Sequence, residues 1–461
     1  MAITLGMVEA IDSNGVYVSM PGSRGVLRGP YRSLSTVAVG TTVLVAATDD
    51  GEQVVVGPVS GGEGTYNVRA FGAKGDGVTD DTVAFQAAID AAGGDESLAG
   101  GTVLVPYGVY RITDGLVVNR PGVHITSPGG YTAYIVADAA LAGGTLLTYA
   151  NEGYVVRGVQ ISNLAIEMGG VEANVIEILG AFDNNHLSDL WINGVHADST
   201  GVRFAPAVDA VTDISQTIVC DNVVVMRDGD ATGVTAPLWE FDCVHEAHVR
   251  SCKAIGAGQS DGGVGFLVRG HSQLVKFDTC SASSTGVGWD IRSDSEVDYS
   301  DRIVIDSPLF ESMETGVLIV GESDSKAYRV ALRTPRYTGT GLDYVVDATH
   351  ASLGLFETSN LPVILRTGST QCRVFSDDST QVDWSGADVG NIVIGYPNAA
   401  SYDYNLGPYL QIGTSQTPAT ATVLQVGVNR SGSTGWPSME QVLLGPTDSG
   451  GTGYRVLRIP N

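Results

Sequence analysis

The chain is poor in cysteine, lysine, aromatic side chains and charge, and each shortage excludes something. Five cysteines in 461 residues (Cys220, Cys243, Cys252, Cys280, Cys372) are too few and too irregularly spaced for a disulfide framework or a zinc motif, so buried free thiols are expected. Four lysines against 21 arginines leave no basic tract, and the net charge of −26 argues against nucleic acid and anionic membranes as partners. No apolar run approaches the roughly 18 residues of a membrane span, and no charged-then-apolar leader is read at the start. Nucleophile elbows, HExxH and dinucleotide fingerprints are missing too. With 7% aromatic and 16% charged residues, the composition suits a turn-rich β protein better than a helical enzyme.

What is abundant is glycine, 60 residues of it, and one segment uses it informatively. Residues 67–94 read NVRAFGAKGDGVTDDTVAFQAAIDAAGG and residues 100–112 read GGTVLVPYGVYRI. After GAKGDG, Thr79 and Asp80 offer oxygens to cap the first free amides of a helix expected over about 80–92. Phe85, Ala88, Ile89 and Ala92 then share one face at i, i+3, i+4 and i+7. Gly93 and Gly94 stop the helix, and the following VLV with PYG reads as a short strand and turn. A phosphate-cradling loop is the competing reading, but no GxxxxGK[ST] follows a strand. An amphipathic helix entering a strand-rich chain needs an apolar surface to cover, and the open end of a β-solenoid is one.

These residues resemble the N-terminal signature of the pectate-lyase-like, right-handed parallel β-helix family, which includes phage tailspikes and tail-fibre depolymerases. The resemblance covers about 45 residues and implies a fold; in that family the segment is a structural cap, so it carries almost no chemistry.

A repeat supports the same fold independently. The pieces 161–166 (ISNLAI), 187–192 (LSDLWI), 219–224 (VCDNVV), 249–254 (VRSCKA), 276–281 (KFDTCS), 304–309 (VIDSPL) and 331–336 (ALRTPR) share one pattern. Aligned on Asn163, Asp189, Asn222, Cys252, Cys280, Pro308 and Pro335, they recur at a natural coil length, and each interval holds a second strand-like piece. A solenoid results whose coils stack about 4.8 Å apart, with like residues in ladders. Trp239, Phe266 and Trp289 form an expected core ladder, as do Cys252 and Cys280.

The ends differ in texture. Residues 1–60 carry short apolar runs around Asn14-Gly15 and Asp50-Gly51, which predict hairpins and a small OB- or SH3-like β-barrel. Residues 61–66 read as a linker, 67–369 as the β-helix, and 370–461 as an antiparallel β region. By the same resemblance the barrel would dock on a phage tail or baseplate, and the C-terminal region would trimerise the chain or bind a receptor. A substrate-binding accessory barrel is the alternative.

Chemistry is left to carboxylates on the outer face of the solenoid. Glycoside hydrolysis needs one carboxyl to protonate the leaving oxygen and another to activate water or attack. With Trp239, Phe266 and Trp289 inward, Glu240, Leu267 and Asp290 form an outward ladder, and Asp242, Arg269 and Arg292 the next. The expected catalytic residues are therefore Glu240, Asp242 and Asp290, with Arg269, Arg292 and Asp294 binding substrate and Asp261 nearby. A solvated polar face explains the same pattern without catalysis. The run 294–298 with Asp301 could line a groove or hold calcium, or be a solvated loop; His245 and His271 are expected near the cluster as bystanders.

The expectation is a trimeric phage tailspike that binds and depolymerises a bacterial capsular or cell-surface polysaccharide. It would be carried on the virion after synthesis in the host cytoplasm without a signal peptide, need no cofactor and use no metal, with calcium as an optional aid. A non-enzymatic receptor-binding spike and a calcium-assisted polysaccharide lyase are the alternatives.

Overall fold

The computed structural model describes residues 64–93, 100–150, 157–180, 184–206, 215–258, 263–293, 300–321, 326–358 and 361–376, with individual strands between 3 and 58 and between 382 and 458. Five short strands near the start close into a barrel: β1 (Ile3–Asp12), β2 (Gly15–Ser19), β3 (Leu27–Ser33), β4 (Thr42–Ala47) and β5 (Gln53–Pro58), in the order β1-β2-β3-β5-β4. Asp12 pairs with Gly15 across a two-residue turn, as the Asn-Gly signal predicts. The second predicted turn, 49–51, lies outside the described residues, although β4 and β5 pair antiparallel on either side of it.

The capping segment forms as its sequence dictates. Helix α1 (Thr82–Ala92) buries Phe85, Ala88, Ile89 and Ala92 and packs on the first solenoid strands, Thr65–Asn67, Thr102–Leu104 and Leu116–Val118. Asp80 accepts the Thr82 N–H at 3.0 Å, whereas Thr79 caps nothing. Its own N–H and hydroxyl both donate to Asp76 at 2.8 Å. Buried Asp81 accepts the Lys74 and Gly75 amides at 2.6 and 3.1 Å, so two aspartates tie the glycine-rich turn to the helix start. Gly93 ends the helix; Gly94 is outside the described residues. Thr65–Asn67 already pairs in parallel with Thr102–Leu104, within the span expected to be linker.

Among the described residues the body is a β-solenoid with a narrow sheet of 11 strands and a broad sheet of 21, parallel except where Tyr409–Ile412 joins the broad sheet. Val202, Trp239, Phe266, Trp289, Val317 and Val346 stack on successive narrow-sheet rungs, all fully buried. Rings stack at 5.8 Å between Trp239 and Phe266 and at 4.8 Å between Phe266 and Trp289. From the broad sheet, Cys220, Val249, Phe277, Ile305, Leu332 and Phe356 form the facing ladder, and Phe277 meets Phe266 edge-on at 5.4 Å. All five cysteines are buried thiols outside any disulfide, with Cys252 and Cys280 on neighbouring rungs.

The repeat anchors need one correction. Coils bend where a residue adopts a left-handed conformation, and these residues are Asn163, Asp189, Asn222, Ser251, Thr279, Ser307 and Thr334, with φ between 43° and 59°. Aligning on Cys252, Cys280, Pro308 and Pro335 therefore ran one residue late from the fourth coil onward. Asn and Asp tolerate this region best and mark it in sequence; Ser and Thr do not. Ladder hydrogen bonds from the Ser251, Thr279 and Ser307 amides to the next coil hold the bends in place.

Parallel pairing extends beyond residue 369, through Arg373–Ser376 to Ile392–Gly395. Antiparallel pairing begins with Tyr409–Ile412 and continues in a sheet of Thr422–Gln425, Gln441–Pro446 and Arg455–Arg458.

Candidate functional site

The predicted narrow-sheet residues do stack in register. Glu240, Leu267 and Asp290 occupy consecutive rungs, and Asp242 lies beside Arg269. What the spacing did not predict is their burial: Glu240 is 6% exposed and Asp290 1%. One Glu240 oxygen pairs with Arg203 at 3.1 Å and the other with Arg269 at 2.6 Å; Arg203 also binds Glu177 at 3.1 Å, and Arg269 binds Asp242 at 3.1 Å. Arg292 grips Asp290 through two bonds of 3.0 and 2.7 Å. Burial alone would loosen the Arg203 proton, but Glu240 and Glu177 outweigh it and hold that proton more tightly than usual. Gly270, at φ +63°, fits this wall because a Cβ there would lie 2.4 Å from an Asp242 oxygen. Opposite charges on adjacent rungs thus close over one another and form a continuous strut. Glu240 is left with no oxygen free of a guanidinium, a poor arrangement for a proton donor to a bulky glycan. Asp294 and Asp261 lie outside the described residues.

The broad sheet carries a more open pair. Asp278 and Asp306 occupy adjacent rungs and keep about a third of their side chains in water. Lys276 lies 3.2 Å from one carboxylate and 4.0 Å from the other, which keeps those two oxygens within about 7 Å of each other. His248 Nε2 is 3.9 Å from Asp278, and one rung earlier Arg250 pairs with Asp221 at 2.9 Å. Two carboxylates at this separation around one ammonium can supply an acid and a base or nucleophile; about 5–5.5 Å marks retaining and about 6.5–9.5 Å inverting hydrolases. The sequence held the signal: Asp221, Asp278 and Asp306 share the third position of their repeat pieces. An alignment anchored on the aromatic core directed attention to the other sheet.

Further along the broad sheet, Tyr134, Ala165 and Trp191 sit on consecutive rungs, with both aromatics about 40% exposed across a small floor. Tyr131 leans edge-on against Trp191 at 6.4 Å. His245 and His271 have ring centroids 5.2 Å apart; burial, then its neighbour His271, holds the His245 imidazole below its ordinary range. Asp301, at the end of the predicted acidic run, is buried against Arg329 and Arg302. Among the described residues, no three or more His, Cys, Asp or Glu side chains gather as a metal ion would require, and no helix is long and apolar enough to cross a membrane.

Comparison with known proteins adds to this geometry. Residues 65–151 match the family described as rhamnogalacturonase A/epimerase, pectate lyase-like. Over this stretch, about a fifth of the chain, the solenoid is similar to pectate-lyase-like proteins. Over 70 residues, 14% of the chain and 5% of the relative, it is 50% identical to mannuronan C5-epimerase AlgE1 of Azotobacter vinelandii. Over 261 residues, 57% of the chain and 28% of the relative, it is 26% identical to the preneck appendage protein of Bacillus phage PZA. The match therefore spans between a twentieth and about a quarter of the length of these curated relatives. The solved A-module of mannuronan C-5 epimerase AlgE6, also from Azotobacter vinelandii, aligns with 74% of this chain and 97% of its own at 17% identity and a TM-score of 0.52, a likeness of fold alone. The pectate-lyase-like match ends before residue 278, so Asp278 and Asp306 stand on geometry.

Proposed function

We propose that this pectate-lyase-like protein is a phage tail spike that binds a bacterial surface polysaccharide and hydrolyses it with Asp278 and Asp306. The observation that carries the reading is this pair of half-buried carboxylates on neighbouring rungs of an otherwise regular face, held together by Lys276. Similarity to a phage appendage protein supports the tail context, and similarity to proteins named for mannuronan and rhamnogalacturonan chemistry supports a polysaccharide ligand. In this reading the barrel in residues 1–60 docks on the tail or baseplate. Residues 370–461 assemble a homotrimer, and the particle carries the protein. Glu240, Asp242, Asp290, Arg269 and Arg292 brace the wall instead of doing acid–base work.

One carboxyl protonates the glycosidic oxygen as the bond to the sugar breaks. The other attacks the anomeric carbon or removes a proton from the attacking water. Carboxylate hydrolysis requires no cofactor. The test is a mass spectrum of oligosaccharides released from polysaccharides of candidate hosts. Products bearing one added water support hydrolysis. Unsaturated products that vanish with chelator would replace it by calcium-assisted elimination.

A purely adhesive spike is the second reading, favoured by the exposed Trp191–Tyr134 platform, which can stack sugar rings without any acid. Tight binding with the polysaccharide left intact would establish it.

A further inference from the structure

Beyond the aspartate pair, the broad sheet opens into a groove of about 330 Å³ lined by Arg302, Arg329, Arg333 and Arg373. Four of the chain's 21 arginines thus converge in a protein of net charge −26. Val304, Ala331, Leu355 and Arg373 form consecutive rungs along its floor, a length of about 14 Å from the strand spacing. Arg302 and Arg329 rise from one edge, where both sit at stacked left-handed bends with φ 56° and 52°. Arg333 stands on the rung after Asp306, so the groove continues the line of the carboxylate pair.

Charge in the groove is not cancelled. Asp301, 3% exposed, takes the Arg329 Nε at 2.7 Å and its Nη2 as well, and lies 3.7 Å from Arg302. This buried carboxylate orients one guanidinium and shares its single charge between two. Among the described residues, Arg333 and Arg373 form no ion pair, and both are exposed. A fixed guanidinium fork beside two unneutralised ones, over an apolar floor, suits a sugar ring bearing an anionic group.

We propose that this groove binds the anionic substituent, carboxylate or phosphate, of a charged surface glycan. The inference rests on the polysaccharide reading above and narrows its substrate to acidic repeats.

The test measures binding of neutral dextran, carboxymethyl dextran and phosphorylated dextran to the full chain in 0.15 M salt, where the protein's remote negative charge is screened beyond about 8 Å. Both charged probes, or one of them, should bind at least about tenfold tighter than dextran, and which one binds separates a uronate-like from a phosphate-bearing ligand. Arg333→Ala combined with Arg373→Ala should weaken the charged probes by about tenfold per arginine, leave dextran unaffected and melt like the parent protein. Arg329→Lys keeps the charge but loses the fork, and should weaken the same probes. Equal binding of neutral and charged dextran, or unchanged binding by the double variant, overturns the proposal. So does failure of every probe together with loss of self-association in the double variant, which would assign the groove to a second copy of the chain. Probe binding without release of oligosaccharide from any host glycan keeps the groove and retires hydrolysis; release without probe binding does the reverse.

Discussion

Replacing Glu240 by Gln discriminates most sharply between a strut and a catalyst. Glu240 lies on its rung between Arg203 and the Arg269–Asp242 pair and holds one guanidinium on each oxygen, at 3.1 and 2.6 Å. The amide can accept through one oxygen only, and its NH₂ would point at a guanidinium, so one arginine loses one of its two carboxylate partners and keeps only Glu177 or Asp242 in a nearly closed setting. Breaking a fully buried pair costs about 3–5 kcal/mol. Arg203 and Arg269 keep 30% and 39% of their side chains exposed, so water offsets part of that and about 2–3 kcal/mol is expected. Chemical denaturation should show a lower midpoint at unchanged slope. Polysaccharide cleavage at a temperature where the variant is folded should persist. Replacing Arg203 and Glu240 together by Met and Leu should recover much of the lost stability, since an apolar pair of similar volume often matches a buried ion pair. A Glu240→Gln protein as stable as its parent but unable to cleave would refute the strut and return catalysis to the narrow sheet.

Three further outcomes follow from the same geometry. Asp278→Asn or Asp306→Asn should each lower cleavage by at least about a hundredfold without shifting the melting curve appreciably, read as product released per unit time. Trp289→Ala removes a fully buried indole in contact with Phe266, Phe277 and Phe310 and should cost about 3–5 kcal/mol; Trp289→Phe should cost much less, because the indole N–H finds no acceptor among the described residues. The amides of Thr79 and Val78 lower the Asp76 carboxyl to about 2, so its contribution is present above about pH 4 and lost as pH falls through about 2. Denaturation midpoints at pH 5, 3 and 2 should therefore converge between the parent protein and Asp76→Ala; a constant gap would exclude the turn as the source.

Much of the fold was legible because solenoid physics is local and repetitive. The face Phe85–Ala88–Ile89–Ala92, the Asn14-Gly15 hairpin and the Trp239–Phe266–Trp289 ladder are periodic patterns in the chain, and each forms as the pattern requires. The bends were harder to place: the left-handed position passes from Asn222 to Ser251, Thr279 and Ser307, whose identities do not mark it, while the adjacent buried Cys252 and Cys280 do attract an alignment.

The sequence by itself determined that this chain is a capped parallel solenoid, that Trp239, Phe266 and Trp289 stack as one inward ladder and that Glu240 and Asp290 share the ladder beside it. Tertiary structure alone decided which of those acids are open. Burial depends on what closes over a rung from neighbouring coils, as Arg203 and Arg269 close over Glu240, and no spacing within one coil contains that information. The arginine groove has the same origin. Arg302, Arg329, Arg333 and Arg373 are scattered over 72 positions of sequence, and only the stacking of coils every few ångströms brings them to one wall.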